Sequence, residues 1–342
     1  MKNLTLAKSI AVLGTLAIAA VGGRAYALEP GSSDPHLPGF TDGVPAGALP
    51  PPGFYFANTL TYQAVSQKDA NGNNLRSPPG AFNGINAIAW IDNPAVEWVS
   101  PFHFLGASYA VAAIEPIVTL GTTTNVPGAS IGANRTGLFN TVIVPAILSW
   151  HLPAGFFVSA SLPIYLPDGD TGDRGNGTSK QAIHIANNTT GFGPSAAVSW
   201  FNGHGLETSI AMEYDIQTQN TNFQNTPGVS IKYQSGDVLN LDFTVVQVLP
   251  GAYKKWTIGG VGYYSAQTSD DQVTINGATT TVPANFGGLQ NGTGNRFEKF
   301  GLGPYVGYDF GPILLNFWYT RDIFANNAAA GDTFWFRFAF PL

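Results

Sequence analysis

Apolar and polar side chains alternate with a period of two along most of this 342-residue chain. In its closing segment Phe334, Phe336, Phe338 and Phe340 share one face, and Thr333, Trp335, Arg337 and Ala339 the other. Leu206, Thr208, Ile210, Met212, Tyr214 and Ile216 likewise oppose Glu207, Ser209, Ala211, Glu213 and Asp215. Leu239, Leu241, Phe243 and Val245 oppose Asn240, Asp242 and Thr244. Such a period belongs to strands with one greasy face. It predicts twelve β-segments: 54–67, 81–91, 104–120, 136–150, 154–166, 182–200, 205–217, 233–249, 252–268, 296–310, 312–322 and 332–342. Most of them exceed the ~5 to 6 residues of an ordinary strand and reach the ~9 to 11 that cross a bilayer at a tilt.

The links between segments alternate in length. Segments four and five, six and seven, eight and nine, and ten and eleven are joined by four residues or fewer; the stretches 68–80, 121–135, 167–181, 218–232, 269–295 and 323–331 are longer and polar. Short turns on the periplasmic side and long loops outside give this rhythm. One link breaks it: 92–103, with Pro94 and Pro101, is expected to be a small periplasmic excursion. No run of eighteen apolar residues follows the N-terminal region, which removes transmembrane helices. The pattern therefore predicts an all-β fold, a transmembrane antiparallel up-and-down β-barrel of about twelve strands, with ten or fourteen as alternatives. In a soluble sandwich the greasy faces would instead meet a second sheet.

The N-terminal region stands apart. Lys2 and Lys8, an apolar stretch from Ile10 to Val21, and Ala25-Tyr26-Ala27 match a secretory signal cleaved before Leu28. Twelve apolar residues span only about 18 Å as a helix, too short for an anchor. Residues 28–53 hold seven prolines and no periodicity. Proline lacks the ladder donor, so this leader is expected to stay out of the sheet, either disordered or folded into the barrel mouth as a plug.

Composition agrees with export. The chain has 41 Gly, 43 aromatic residues, two Met and no Cys. An exported chain without Cys has neither disulfides nor zinc-thiolate sites, and must close on its own backbone hydrogen bonds. Loss of the signal leaves 12 basic residues against 21 acidic ones, a formal charge of −9, which excludes nucleic acid as a partner. Trp150, Trp256, Tyr264, Trp318 and Tyr319 are candidates for an aromatic girdle. The last strand, alternating in Phe, resembles the closing signal that outer-membrane assembly machinery reads, although Pro341 and Leu342 follow it.

Five short segments carry a family resemblance: Leu49-Pro-Pro-Pro-Gly-Phe-Tyr-Phe56, Leu105-Gly-Ala-Ser-Tyr109, Leu162-Pro-Ile-Tyr165, Gly191-Phe-Gly-Pro-Ser195 and Gly303-Pro-Tyr-Val-Gly-Tyr-Asp-Phe310. Together they resemble the outer-membrane family named for the meta pathway of phenol degradation. More distantly, the plan is similar to the long-chain fatty-acid and aromatic-hydrocarbon channels. The resemblance implies a porin-like barrel in a Gram-negative outer membrane, linked to uptake of hydrophobic, often aromatic, compounds. It offers no catalytic residues.

Candidate chemistry is sparse. Gly128-Ala-Ser130-Ile-Gly132 has the spacing of a nucleophile elbow, but no helical period follows it, and an elbow needs a strand-to-helix turn. Asp168, Asp170 and Asp173 crowd one loop as a weak calcium candidate, yet the fifth position of an EF-hand would be Gly172. The five histidines lack i, i+4 spacing for zinc. Gly301, Gly303 and Gly307 read as small residues relieving barrel crowding rather than as a phosphate loop. What remains is the inward face, where Glu207, Glu213, Asp215, Asp242 and Arg337 are predicted to line the lumen. They form either a polar network that stiffens the wall or a cation-leaning lining.

These readings predict an outer-membrane channel for passive uptake of small hydrophobic or aromatic compounds. Its partners would be those solutes, membrane lipid and the assembly machinery; it would need no cofactor or metal and would not be an enzyme. The alternatives are a structural or adhesive barrel with a blocked lumen and, behind it, an outer-membrane hydrolase.

Overall fold

In the computed structural model the described residues are 28–29, 33–76, 84–126, 128–171, 183–226, 229–282 and 296–342. The expected signal segment at 1–27 lies outside them. The wall has twelve staves. β1 (Gly53–Gln67) and β2 (Ile85–Phe104) are the first two, and β3 (Ala107–Ile114) with β4 (Ile117–Val126) makes the third. β5 (Ala129–Leu138) with β6 (Val142–His151), β7 (Phe156–Ser161) with β8 (Ile164–Tyr165), and β9 (Gly191–Phe192) with β10 (Ser195–Phe201) make the next three. β11 (Leu206–Gln217) is the seventh stave, and β12 (Asn220–Thr226) and β13 (Val229–Gln234) follow it outside the wall. β14 (Val238–Val248) and β15 (Trp256–Gln267) come next, then the short β16 (Gln272–Ile275) and β17 (Ala278–Thr281). β18 (Glu298–Asp309), β19 (Leu314–Asn326) and β20 (Ala329–Pro341) complete the wall.

Every neighbouring pair is antiparallel, and β20 pairs with β1 from Tyr55 opposite Pro341 to Gln67 opposite Ala329. That seam closes the wall on itself, the condition for crossing a membrane with strands. Among the described residues no helix is long and apolar enough to cross a membrane.

The alternation read from the sequence sorts side chains between two surroundings. Phe334 is 52% exposed on the outer face and Trp335 only 2% exposed on the inner one. Ile210, Met212, Val245 and Phe317 also point outward, while Asp215, Asn240, Thr244 and Arg337 are buried inside. Exposed apolar residues all round the wall exceed any patch a soluble monomer tolerates, and they fit a lipid surround. Trp318 departs from its expected place in the girdle. Because Tyr319 faces outward, period two turns Trp318 into the lumen, where it stacks on Trp335 with centroids 5.2 Å apart.

Several boundaries also differ. The expected excursion at 92–103 is strand: β2 runs through it to a tight turn at Leu105 and Gly106, both at positive φ. Pro94 costs little there because it faces the break between β3 and β4, where its carbonyl accepts the Glu115 amide, and Pro101 falls in a register shift. The turn after the second stave is therefore short, as the rhythm requires, whereas the long loop expected at 323–331 is strand except for Asn327 and Ala328. The loop expected at 121–135 is mostly the β4–β5 hairpin. The loops around 218–232 and 269–295 carry β12, β13, β16 and β17, a separate four-stranded sheet over its own cluster of Phe223, Ile231, Tyr233, Val273 and Val282. Residues 183–190, expected to be strand, instead fold inward. Asn140 holds the Asn187 backbone at both its amide (2.7 Å) and its carbonyl (2.9 Å).

Close backbone approach fixes one glycine. A Cβ at Gly303 would lie 1.6 Å from the Tyr319 carbonyl oxygen, with no flexible side chain to yield. Gly303→Ala is expected to destabilise the barrel by on the order of 4 kcal/mol. The check is loss of the folded, faster-migrating band in unheated gels; an undiminished band would show that β18 and β19 can separate.

Candidate functional site

The inner wall is occupied by the leader. Leu28 packs with Val238, Phe297, Ala325 and Ala328 at the long-loop end, and the chain reaches the short-turn end where β1 begins at Gly53. Proline-rich sequence cannot pair as a strand, so its amides and carbonyls need side-chain partners. The wall supplies one polar group from each of five neighbouring staves. Ser149 donates to the Gly47 carbonyl (2.7 Å) and Ser159 to that of Ala46 (2.8 Å). Ser199 accepts from the Gly47 amide (2.9 Å), Ser209 from Ala46 (3.2 Å) and Thr244 from Gly43 (2.8 Å). Gly43 sits at φ +70, and a Cβ there would meet the Tyr305 ring at 2.2 Å, so both backbone and space require glycine.

At the centre lies a charged cluster. Asp242 accepts from the Gly39 amide (2.8 Å), the Thr41 amide (2.9 Å) and the Thr41 hydroxyl (2.8 Å). His36 lies between two carboxylates, with Nδ1 3.4 Å from Glu213 and Nε2 3.7 Å from Asp242. Burial alone would push the His36 imidazole down, but these carboxylates hold it well above its usual range. Glu213 also accepts from Tyr165 and Ser195. Asn240 donates to both Asp34 and Asp215 at 2.7 Å. Burial pushes the Asp34 carboxyl up to about 6, against the Asn240 hydrogen bond. Asp42 is held well above the carboxylate range by burial and the Asp242 charge, with Arg337 opposing.

Arg337 closes the cluster. Its guanidinium donates to Thr59 Oγ1 (2.8 Å), to the Asp42 carbonyl (3.3 Å) and to the Phe40 carbonyl, and it lies 4.9 Å from the Trp318 ring centre. Arginine suits this position because its planar fork reaches several carbonyls while its face stacks on an aromatic ring. Of the five residues predicted to line the lumen, Glu213, Asp215, Asp242 and Arg337 meet around the leader. Glu207, further along β11, is only partly buried.

Beside the leader lies a cavity of about 260 Å³, bounded by residues 33–38, the outer halves of β1, β2 and β4, and Ile185 and Phe297. Val65, Ile85, Ile91 and Leu120 make its wall largely apolar, and Asp34, His36, Lys299 and Asp322 are its charged groups. An apolar cavity of about 150 Å³ already holds benzene.

The other candidates fall elsewhere. Ser130 lies on the exposed hairpin strand β5 and donates to Asn125 (2.9 Å). Asp168 accepts from the Thr141 amide (3.0 Å) and Asp170 from that of Leu138 (3.1 Å), with Arg135 3.5 Å from Asp170. Both therefore brace the break between β5 and β6, while Asp173 lies outside the described residues. No group of three metal-ligating residues occurs among the described residues. Sequence reasoning missed Asp34, His36 and Asp42. The available signal was charge inside a leader made mostly of Pro, Gly and apolar residues, where an unpaired charge would be costly.

A closed membrane barrel with a polar inner cluster and an apolar cavity defines the class: a bacterial outer-membrane β-barrel. The chain belongs to the family described as the putative MetA-pathway of phenol degradation, whose model matches residues 54–338. An outer membrane channel from Pseudomonas putida has a similar structure, with a TM-score of 0.64 at 11% identity over 86% of this chain and 97% of that one. The transport unit of the autotransporter AIDA-I from Escherichia coli is similar at TM-score 0.50 and 9% identity, over 84% of this chain and 89% of the other. No curated protein matches in sequence.

Proposed function

We propose that this channel passes small hydrophobic or aromatic molecules inward, with residues 28–53 as a plug that fills the polar half of the lumen and leaves an apolar path beside it. The observation that supports this reading is the cavity: its apolar wall faces the leader inside the barrel. Apolar solutes are retarded by a lipopolysaccharide leaflet and enter a dry apolar pocket with little desolvation cost. The exposed Ser130, whose partner is Asn125, supports a non-catalytic role.

Stopped-flow entry of indole into vesicles with a lipopolysaccharide outer leaflet tests the proposal. Entry is expected to be several-fold faster with the protein than without it; equal rates would refute the uptake role.

The second reading, a structural barrel with a blocked lumen, is favoured by the many hydrogen bonds that fasten the leader to the wall. Under it, neither indole entry nor ion conductance should appear even when the leader is loosened.

A further inference from the structure

We infer that the lumen cavity is a binding site for small apolar monocarboxylates, with the Lys299 ammonium as the group that holds the carboxylate. This rests on the proposed uptake of small apolar molecules and adds the head group.

Lys299 lies on β18, in step with the inward positions Gly301, Gly303 and Tyr305, and lines the cavity. Lysine offers three donors and no acceptor, and a cation beside an apolar wall normally finds a partner. Among the described residues Lys299 makes no hydrogen bond or ion pair; its contact is the Tyr263 ring, 5.2 Å from Nζ to the centroid. Lys299 is half-buried on the cavity wall, where a molecule in the cavity can meet it.

Neither carboxylate of the cavity wall forms an ion pair with that ammonium, although Asp34 lies near enough to feel its charge. Asp322 accepts from the Tyr263 hydroxyl (2.7 Å) and the Gly331 amide (2.9 Å). Asp34 accepts from Asn240 through one oxygen, and its other oxygen is buried beyond solvent reach. Both still repel negative charge, which favours one carboxylate over two. Around the ammonium, Val65, Ile85, Ile91, Leu120 and Phe297 give an apolar body somewhere to lie. The occupant that satisfies both parts has a ring or short chain and a single acidic head.

Calorimetric titration of the purified full-length protein with benzoate and with methyl benzoate tests this. Wild type is expected to bind benzoate about tenfold more tightly than the ester, as a charge-assisted hydrogen bond allows. Lys299→Met should remove that preference and leave ester binding within about twofold, while Lys299→Arg should keep it. Should Lys299→Met fail to fold, added salt offers the same readout on wild type, weakening benzoate and sparing the ester. Equal binding of the two compounds by wild type, or a preference untouched by both Lys299→Met and salt, would overturn the carboxylate site and leave apolar uptake standing. Failure of wild type to bind either compound would remove both.

Discussion

Asp242→Ala is expected to open the lumen. The substitution deprives the Gly39 and Thr41 amides and the Thr41 hydroxyl of their shared acceptor and takes one of two carboxylates from His36. Removing one partner of a buried charged network costs about 3 to 5 kcal/mol, because the remaining donors stay desolvated. The loss falls on the leader's attachment, since Asp242 remains a ladder position of β14 whatever its side chain. A shift of about 4 kcal/mol changes the ratio of detached to attached leader roughly a thousandfold. Planar-bilayer recordings should therefore show larger or more frequent openings than wild type, with Asp242→Asn intermediate because its amide oxygen still accepts. Identical traces for all three would mean that the leader is held by its serine and threonine contacts alone.

Alkaline solution should loosen the same attachment without any mutation. His36 binds its proton more tightly in the folded barrel than in an unfolded chain, so its contribution is complete below the ordinary histidine range and disappears as pH rises through its raised value. Asp42 acts in the same direction: its folded carboxyl also keeps a proton that the unfolded chain has already lost, so folding is penalised as pH climbs. In both cases the folded state carries more protons, and stability falls with rising pH. Conductance measured from mildly acidic to strongly alkaline solution should increase, and His36→Gln should flatten the increase. A wild-type response that is level, or that runs the other way, would exclude His36 as the anchor.

The wall was far more legible in the sequence than its contents. Phe334 to Phe340, and Glu207 to Asp215 against Leu206 to Ile216, announce their faces because a strand's side chains alternate whatever they pack against. Proline misled at 92–103, where Pro94 could be accommodated by lending its carbonyl to Glu115, a contact between residues 21 positions apart that no local pattern encodes. Trp318 was misplaced because aromatic character alone does not tell lipid from lumen; the parity set by Tyr319 does. The carboxylates of β11 and β14 could be assigned to the inner face, but their partners could not be seen. His36 meets Glu213 and Asp242 across some 180 to 200 residues of sequence, and only closure of the ring brings the leader alongside them. Lys299 is illegible for a related reason: its significance lies in its having no hydrogen-bond or ion-pair partner among the described residues, which only the closed fold shows.

The seam between β1 and β20 has a consequence for assembly. Until those two staves zip together, the growing sheet is an open trough whose serines, Asp242 and Arg337 face water. The proline-rich stretch can be laid along that trough as a former around which the sheet curls, quenching those groups before lipid surrounds them. Once the final hydrogen bonds are made, the cylinder encloses the stretch on every side.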